Sequence, residues 1–211
     1  TVRPDTDEII DRSYHGSRMP LDEVRANLRT VHMDKKLVVD PADKNATAKF
    51  TPAPDDFVAE LAEVLAETAD TFAGNDVSDY PFRLVSRRLK HVLNSTGTEL
   101  PGLARKGTTN SAYMHPDDVA KLGLESGDVI EISSPQASLL GVVEAADDVK
   151  HGVISMAHSW GGRSLTDEKV REIGSPTSRL VSTDIGSDPV TGMVVSSAIP
   201  VAVAKASEAV A

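Results

Sequence analysis

The spacing of apolar positions changes character near Tyr80. Before it, one pattern is strong. In DDFVAELAEVLAETA (55–69), Phe57, Val58, Leu61, Val64 and Leu65 fall on one helical face, and Asp55 and Asp56 sit where a helix N-terminus is positive. This predicts an amphipathic helix over 55–69. The rest of 1–53 is polar and weakly periodic. MPLDEVRANL (19–28) predicts one short helix starting at Pro20 or Leu21, and DPADKNATAKFTPAP (40–54) reads as connecting chain. Such a segment folds poorly alone and is expected to wrap a larger body. AGNDVSDYP (73–81) marks a boundary, so we divide the chain into a preceding segment, 1–79, and a folded domain, 80–211.

After the boundary the apolar runs are short and bounded by turn residues. They predict strands at Phe82–Ser86, Asp128–Ser133, Leu139–Ala146, Gly152–His158 and Ala198–Lys205. Small helices are predicted at Pro116–Lys121 and Thr166–Ile173. The fold class is mainly β with small helices, closed into a compact barrel. One block, HPDDVAKLGLESGDVIEISS (115–134), carries several local signals at once. Pro116 suits a first helical position, Asp117 and Asp118 suit the helix N-terminus, and Gly123 suits a left-handed helix exit. Gly127 and Asp128 turn the chain into a strand. The block pins strand register and carries no chemistry of its own.

Composition narrows the function classes. In 211 residues, aromatics make up 4%, so the core rests on Val, Leu, Ile and Ala. The formal net charge is −10, which argues against a nucleic-acid partner. With no cysteine, disulfides, thiolate metal sites, iron–sulfur ligation and a Cys nucleophile are excluded. That absence fits a reducing compartment, and we expect a cytoplasmic location. No apolar run approaches the ~18–20 residues of a membrane span. The chain opens TVRPD without a methionine, and we read it as an excised part of a longer protein.

Against this acidic background, FRLVSRRLKHVLNSTG (82–97) stands out. Arg83, Arg87, Arg88, Lys90 and His91 crowd into nine positions, with Arg87 and Arg88 directly after a predicted strand, and Asn94, Ser95 and Thr96 add neutral donors. Guanidinium groups bind phosphates through forked hydrogen bonds. The cluster reads equally as a phosphate-ligand site and as a basic surface paired with the many carboxylates. In AHSWGGR (157–163), paired glycines permit close backbone approach, while His158 and Trp160 offer a ring donor and a stacking face. A core tryptophan beside a turn is the plainer reading. The polar stretch 174–192 includes Asp184 and Asp188, which could accept from an exocyclic amine, though an ordinary surface loop is the plainer reading. The histidines (15, 32, 91, 115, 151 and 158) are scattered without metal-ligand spacing, so no metal site built by the protein is expected. No nucleophile–base set, G-x-S-x-G motif or P-loop is present. The residues alone describe a site for an anionic ligand at strand ends, without a complete active centre.

Four blocks, in order, resemble the dinucleotide-binding domain of the molybdopterin oxidoreductases, the family of dimethyl sulfoxide reductase and formate dehydrogenase. FRLVSRRLKHVLNS (82–95) resembles its first strand and cofactor loop. AYMHPDDVAKLGLESGDVIEISS (112–134) resembles its helix–turn–strand hallmark. VKHGVISMAHSWGG (149–162) is similar to its later strand and ligand-facing loop, and PTSRLVSTDIGSDPVTGMVVSSAIPVAV (176–203) to its closing segment. The likeness spans about residues 80–204, and residues 1–70 also resemble the stretch preceding this domain.

The resemblance implies a double-psi β-barrel that binds bis(molybdopterin guanine dinucleotide), with molybdenum or tungsten held by the cofactor. Carried over by position, Ser86, Arg87 and Arg88 lie in the first cofactor loop, followed by His91, Asn94 and Ser95. His158, Trp160 and Gly161 lie in the later loop, and Thr177 and Ser178 at the closing contact. The sequence departs from the family at Pro176 and Ser178, where asparagines are frequent, and at Ser111, where proline is frequent. The metal's protein ligand and any iron–sulfur cluster belong to earlier domains of such enzymes. The resemblance therefore implies N-terminal domains of a parent enzyme as partners and no turnover by this stretch alone. Two other readings use the same barrel: a free-standing module recognising a peptide or protein, and a small decarboxylase. The latter needs a self-processing Gly-Ser at a strand start, which neither Gly16-Ser17 nor Gly186-Ser187 supplies.

Overall fold

The computed structural model describes residues 4–17, 20–27, 43–47, 49–98, 100–105, 107, 109–162, 167–188 and 191–207. The chain divides into two compact units, Thr1–Phe50 and Thr51–Ala211. In the first, α1 (Thr6–Tyr14) is capped by Asp5, whose carboxylate accepts the Glu8 N–H at 2.8 Å. It is followed by α2 (Leu21–Ala26). The expected helix over 19–28 is thus present as α2, while Met19 and Leu28 lie outside the described residues. Helix α1 escaped the periodicity because its apolar residues, Ile9, Ile10 and Tyr14, make no wide stripe, and none is buried.

The second unit opens with α3 (Asp55–Ala66), ending three residues short of the sequence expectation. Its apolar face is solvent-exposed, from Phe57 at 48% to Leu65 at 77%. A two-residue-strand hairpin follows, β1 (Thr71–Phe72) and β2 (Asn75–Asp76). Then come β3 (Phe82–Arg87), α4 (Pro101–Ala104), β4 (Ala112–Met114), α5 (Pro116–Lys121), β5 (Val129–Ser133), β6 (Ser138–Ala145), β7 (Val153–Ala157), α6 (Val170–Ile173), a 3-10 turn at Thr177–Leu180, and β8 (Ile199–Lys205). The helix predicted over 166–173 is the shorter α6, and Thr166 lies outside the described residues. Strand β4, three residues long, has no run from which periodicity could be read.

Six strands close into a barrel in the order β3-β7-β4-β6-β5-β8. Pairs β3–β7 and β4–β6 are parallel, and the other four pairings are antiparallel. Exchanging β3 with β6, β4 with β7 and β5 with β8 reproduces the same neighbours and directions. The barrel is therefore two interlocked strand–strand–helix–strand halves, β3-β4-α5-β5 and β6-β7-α6-β8. This is the double-psi β-barrel. Closure removes the exposed edges that an open sheet of these strands would present.

The core is aliphatic, as the scarcity of aromatics requires. Leu84, Ile130, Ile132, Val143, Ile154 and Val201 fill it, joined by Met114 and Met156. Gly141 on β6 is needed for packing: a Cβ there would come 3.2 Å from Ile132 Cδ1 and 3.6 Å from Ala112 Cβ. The block 115–134 folds as its signals predict. Gly123 has φ +66°, and Leu124 N–H bonds the Val119 carbonyl across it, closing the helix end. Asp128 accepts the Glu125 N–H at 3.0 Å and the Lys205 ammonium at 3.2 Å, fixing the turn into β5.

Asp118 proves to be more than a helix-terminal acid. Its buried carboxylate accepts the Gly152 N–H at 2.7 Å and lies 3.3 Å from His151 Nδ1 and 3.7 Å from Lys121 Nζ, tying α5 to the start of β7. Burial pushes its pKa up, but the Gly152 N–H, His151 and Lys121 outweigh burial and hold it below the ordinary carboxyl value. A depressed folded-state pKa adds stability above the unfolded value of about 3.9, and this is lost as pH falls through the folded value. Asp118→Asn is expected to lower stability at neutral pH by roughly 1.5–3 kcal/mol, the range for bonds to a charged group. Its deficit should shrink as thermal melts are taken to acid pH; a deficit independent of pH contradicts the assignment.

Candidate functional site

The parallel β3–β7 pair sets the geometry. Its register places Ser86 opposite Met156 and Arg87 opposite Ala157, so both strands end at one rim. The ladder extends one step further, with His158 N–H bonding the Arg87 carbonyl at 3.2 Å. The loop after β3 and the loop after β7 therefore leave the barrel side by side. A third segment joins them: Gly161 N–H bonds the Ile173 carbonyl at 2.9 Å, bringing 173–178 to the same rim.

Asn110 locks this arrangement. Its buried amide donates to the carbonyls of Ala157 (2.6 Å) and Ser175 (2.8 Å), and its Oδ1 accepts the Ser175 N–H at 2.9 Å. Gly174 packs so tightly on it that a Cβ would lie 2.0 Å from Asn110 Oδ1. Gly161, at φ +87°, is equally confined, since a Cβ would meet Pro176 Cδ at 2.6 Å and Ser175 Cα at 2.8 Å. Beside this rim, Arg179 and Asp167 form a partly buried two-pronged ion pair at 2.6 and 3.0 Å, and Asp167 also accepts the Leu140 N–H. None of Asn110, Ser175 or Asp167 was legible as a site residue, because each acts through partners distant in sequence.

The cationic cluster divides into distinct roles. Arg83 is committed to backbone carbonyls of Ala69, Tyr80 and Phe82. Arg87 is half-buried, with its guanidinium 4.7 Å above the Tyr113 ring. Arg88 is exposed. Among the described residues, neither Arg87 nor Arg88 has a carboxylate partner.

The remaining predicted residues are placed as follows. Ser86 is half-buried on β3, and His91 is half-buried in the following loop with its Nε2 enclosed and, among the described residues, without a partner. Asn94 and Ser95 are exposed in a tight turn, closed by the Leu93–Thr96 bridge, in which Asn94 takes φ +54°. His158 Nδ1 lies 2.7 Å from Ser159 Oγ. Trp160 is 6% exposed, so the indole packs inside the protein and offers little open face. Thr177 is buried and Ser178 exposed on the 3-10 turn. In the later loop, Asp188 Oδ1 accepts the Thr191 N–H at 2.8 Å, in keeping with a turn role, and Asp184 is exposed.

A cavity of about 120 Å³ adjoins the rim, lined by Gly162, Asp167, Glu168, Lys169, Ile173 and Gly174. A wider depression of about 770 Å³ lies in the first unit, but Asp5, Asp7, Glu8 and Asp11 line it, and its acidity is wrong for a phosphate ligand. At the opposite end of β7, His115 and His151 meet with ring centroids 3.7 Å apart. Their separation in sequence had hidden this pairing.

Comparison with known proteins places the chain in a family. The family model described as "Molydopterin dinucleotide binding domain" matches residues 82–198, and the chain belongs to that family. A Halobacterium salinarum protein, provisionally named as the catalytic chain of a dimethyl sulfoxide reductase, is 25% identical over 62% of this chain and 16% of its own length. The alpha chain of the F420-dependent formate dehydrogenase of Methanocaldococcus jannaschii is 27% identical over 64% of this chain and 18% of its own. The chain thus spans under a fifth of these relatives. Among solved structures, acetylene hydratase from Pelobacter acetylenicus superposes with a TM-score of 0.52 at 20% identity, over 62% of this chain and 19% of that one, a likeness of fold.

Asn110→Ala should leave two carbonyls and one N–H buried without their side-chain partner. At about 1–3 kcal/mol for each such group, the loss should reach ~3 kcal/mol or more by urea unfolding. A loss below ~1 kcal/mol would show that the amide does not hold the rim.

Proposed function

We propose that this chain is one domain of a larger molybdopterin-dependent oxidoreductase, and that the rim formed by the ends of β3 and β7 grips bis(molybdopterin guanine dinucleotide). The observation that carries this reading is electrostatic. In a chain with 32 acidic and 22 basic residues, Arg87 and Arg88 stand at a strand end without a carboxylate partner among the described residues. A pyrophosphate is the ligand chemistry that such a pair suits.

The donor set fits the cofactor in a second respect. Among the described residues, two buried side-chain atoms lack a partner, His91 Nε2 and Ser175 Oγ. Both lie in loops assigned to the site, one after β3 and one beside Asn110. Orphaned buried polar atoms are costly, and a bound ligand with polar edges would satisfy them. Bound, the cofactor supplies redox chemistry at its metal, and the protein supplies position and electrostatics. Arg87, held by Tyr113, would keep its charge aimed from a fixed position, while exposed Arg88, Asn94, Ser95 and Ser178 would adjust to the ligand. Gly161 would keep the loop after His158 low enough for close approach. Trp160 and Thr177 would shape the loops from inside.

The rim cavity of about 120 Å³ is well below the ~300–1,000 Å³ of an enclosing pocket. The dinucleotide would therefore lie across the rim, with the rest of its enclosure supplied by other domains of the parent polypeptide. The exposed apolar face of α3 is a second surface that those domains would cover.

Replacing Arg87 or Arg88 by Ala in the natural-length protein should cost roughly 1.5–3 kcal/mol of cofactor binding each. Metal and guanine nucleotide content of the purified protein should fall, while circular dichroism and melting of the barrel stay close to wild type. Full cofactor content in both variants would overturn the assignment.

A further inference from the structure

The two histidines at the far end of β7 converge on a carboxylate. His115 precedes α5 and caps it, its Nδ1 accepting the Asp117 N–H at 3.2 Å. His151 lies in the turn before β7. Parallel β4–β6 and antiparallel β4–β7 pairing bring the end of β4 beside the start of β7, with Met114 opposite Ile154. The imidazoles consequently meet across 36 positions, as 151 minus 115, tilted by 38°.

Both rings address one oxygen. His115 Nδ1 and His151 Nε2 each lie 3.8 Å from Asp117 Oδ2. That is too long for a hydrogen bond. It is near the ~3.4 Å ligand-to-ligand edge of a tetrahedron whose metal bonds are about 2.0–2.1 Å. One candidate ligand atom from each of the three residues lies within 4.8 Å of the other two.

The second observation is the orientation of His151. Its Nδ1 faces Asp118 Oδ1 at 3.3 Å. An ionised carboxylate only accepts hydrogen bonds, so in the neutral imidazole this contact places the proton on Nδ1 and leaves the Nε2 lone pair on the Asp117 side. A buried carboxylate that fixes the tautomer of an imidazole is the supporting contact that metal-binding histidines use. Asp118 is 8% exposed, and backbone and Lys121 contacts hold it in place.

We propose that His115, Asp117 and His151 form a binding site for a divalent cation of the zinc class, clamping the start of α5 to the start of β7. Two imidazole nitrogens and one carboxylate oxygen suit Zn²⁺, with water completing the shell, since His151 and Asp117 are exposed. The ion would take over the His115 lone pair that now accepts a long backbone bond. The site lies at the other end of β7 from the rim, roughly 20 Å along the strand.

The test is titration of the natural-length protein with Zn²⁺, and with Co²⁺ as an absorbing substitute, at neutral pH. Wild type should take up one equivalent more than the His115→Asn/His151→Gln double variant, with a rise in melting temperature confined to wild type. The Asn retains helix capping, and the Gln sits at an exposed position, so neither change should prevent folding. His151→Gln alone should weaken binding at least tenfold, and Co²⁺ bound to wild type should show the visible absorption of a four-coordinate ion. Equal metal uptake by wild type and double variant, or equal thermal shifts with Zn²⁺, would overturn the proposal.

Discussion

The parallel pairing of β3 with β7 is the constraint on which the rest depends. Parallel neighbours cannot be joined by a tight turn, so the chain between them must cross the barrel and supply β4, α5, β5 and β6 on the way. The same pairing makes two strands end together, and loops far apart in sequence leave from one rim. The 158–162 loop, the arginines at the end of β3 and the 173–178 segment are neighbours for this reason. Asn110 then converts the neighbourhood into a fixed shape by bonding Ala157 and Ser175 with one buried amide.

Charge at the rim is organised against the background of the molecule. The acidic surface would neutralise any arginine within its reach, and Arg179 shows that outcome in its pairing with Asp167. Arg87 has no carboxylate partner among the described residues and lies over Tyr113, an uncharged neighbour that restrains the guanidinium without using up its donors. Asp167 takes one arginine of the region into structure, and Arg83 spends its donors on carbonyls. What is left over is a small cationic rim on an acidic barrel, suited to an anion.

The barrel was largely legible because its strands β3, β5, β6, β7 and β8 are runs of β-branched and aliphatic residues between turn residues. The helix and turns of the 115–134 block were legible, since Pro116, Gly123 and Asp128 act through neighbours within a few positions, whereas the ties of Asp118 and His115 to the turn before β7 were not. Strand β4 was not, because three residues carry no period and its stability comes from β6 and β7 on either side. Within the site, arginine clustering was visible as composition. The division of labour among Arg83, Arg87 and Arg88 was not, because Tyr80, Tyr113 and Ala69 decide it through space. Asn110 and the His115–His151 pair were invisible for the same reason: their partners lie dozens of residues away. Trp160 looked like a stacking face and is found packed inside, since burial depends on the loop that folds over it.

Hydrogen exchange of the protein, with and without a molybdopterin dinucleotide, tests most directly whether one rim of the barrel holds the proposed ligand. Protection should appear together in 86–95, 158–162 and 175–178, and should be absent from α5 and the turn before β7. Protection confined to the α5 end, or spread evenly over the barrel with none at the three rim segments, would contradict the account.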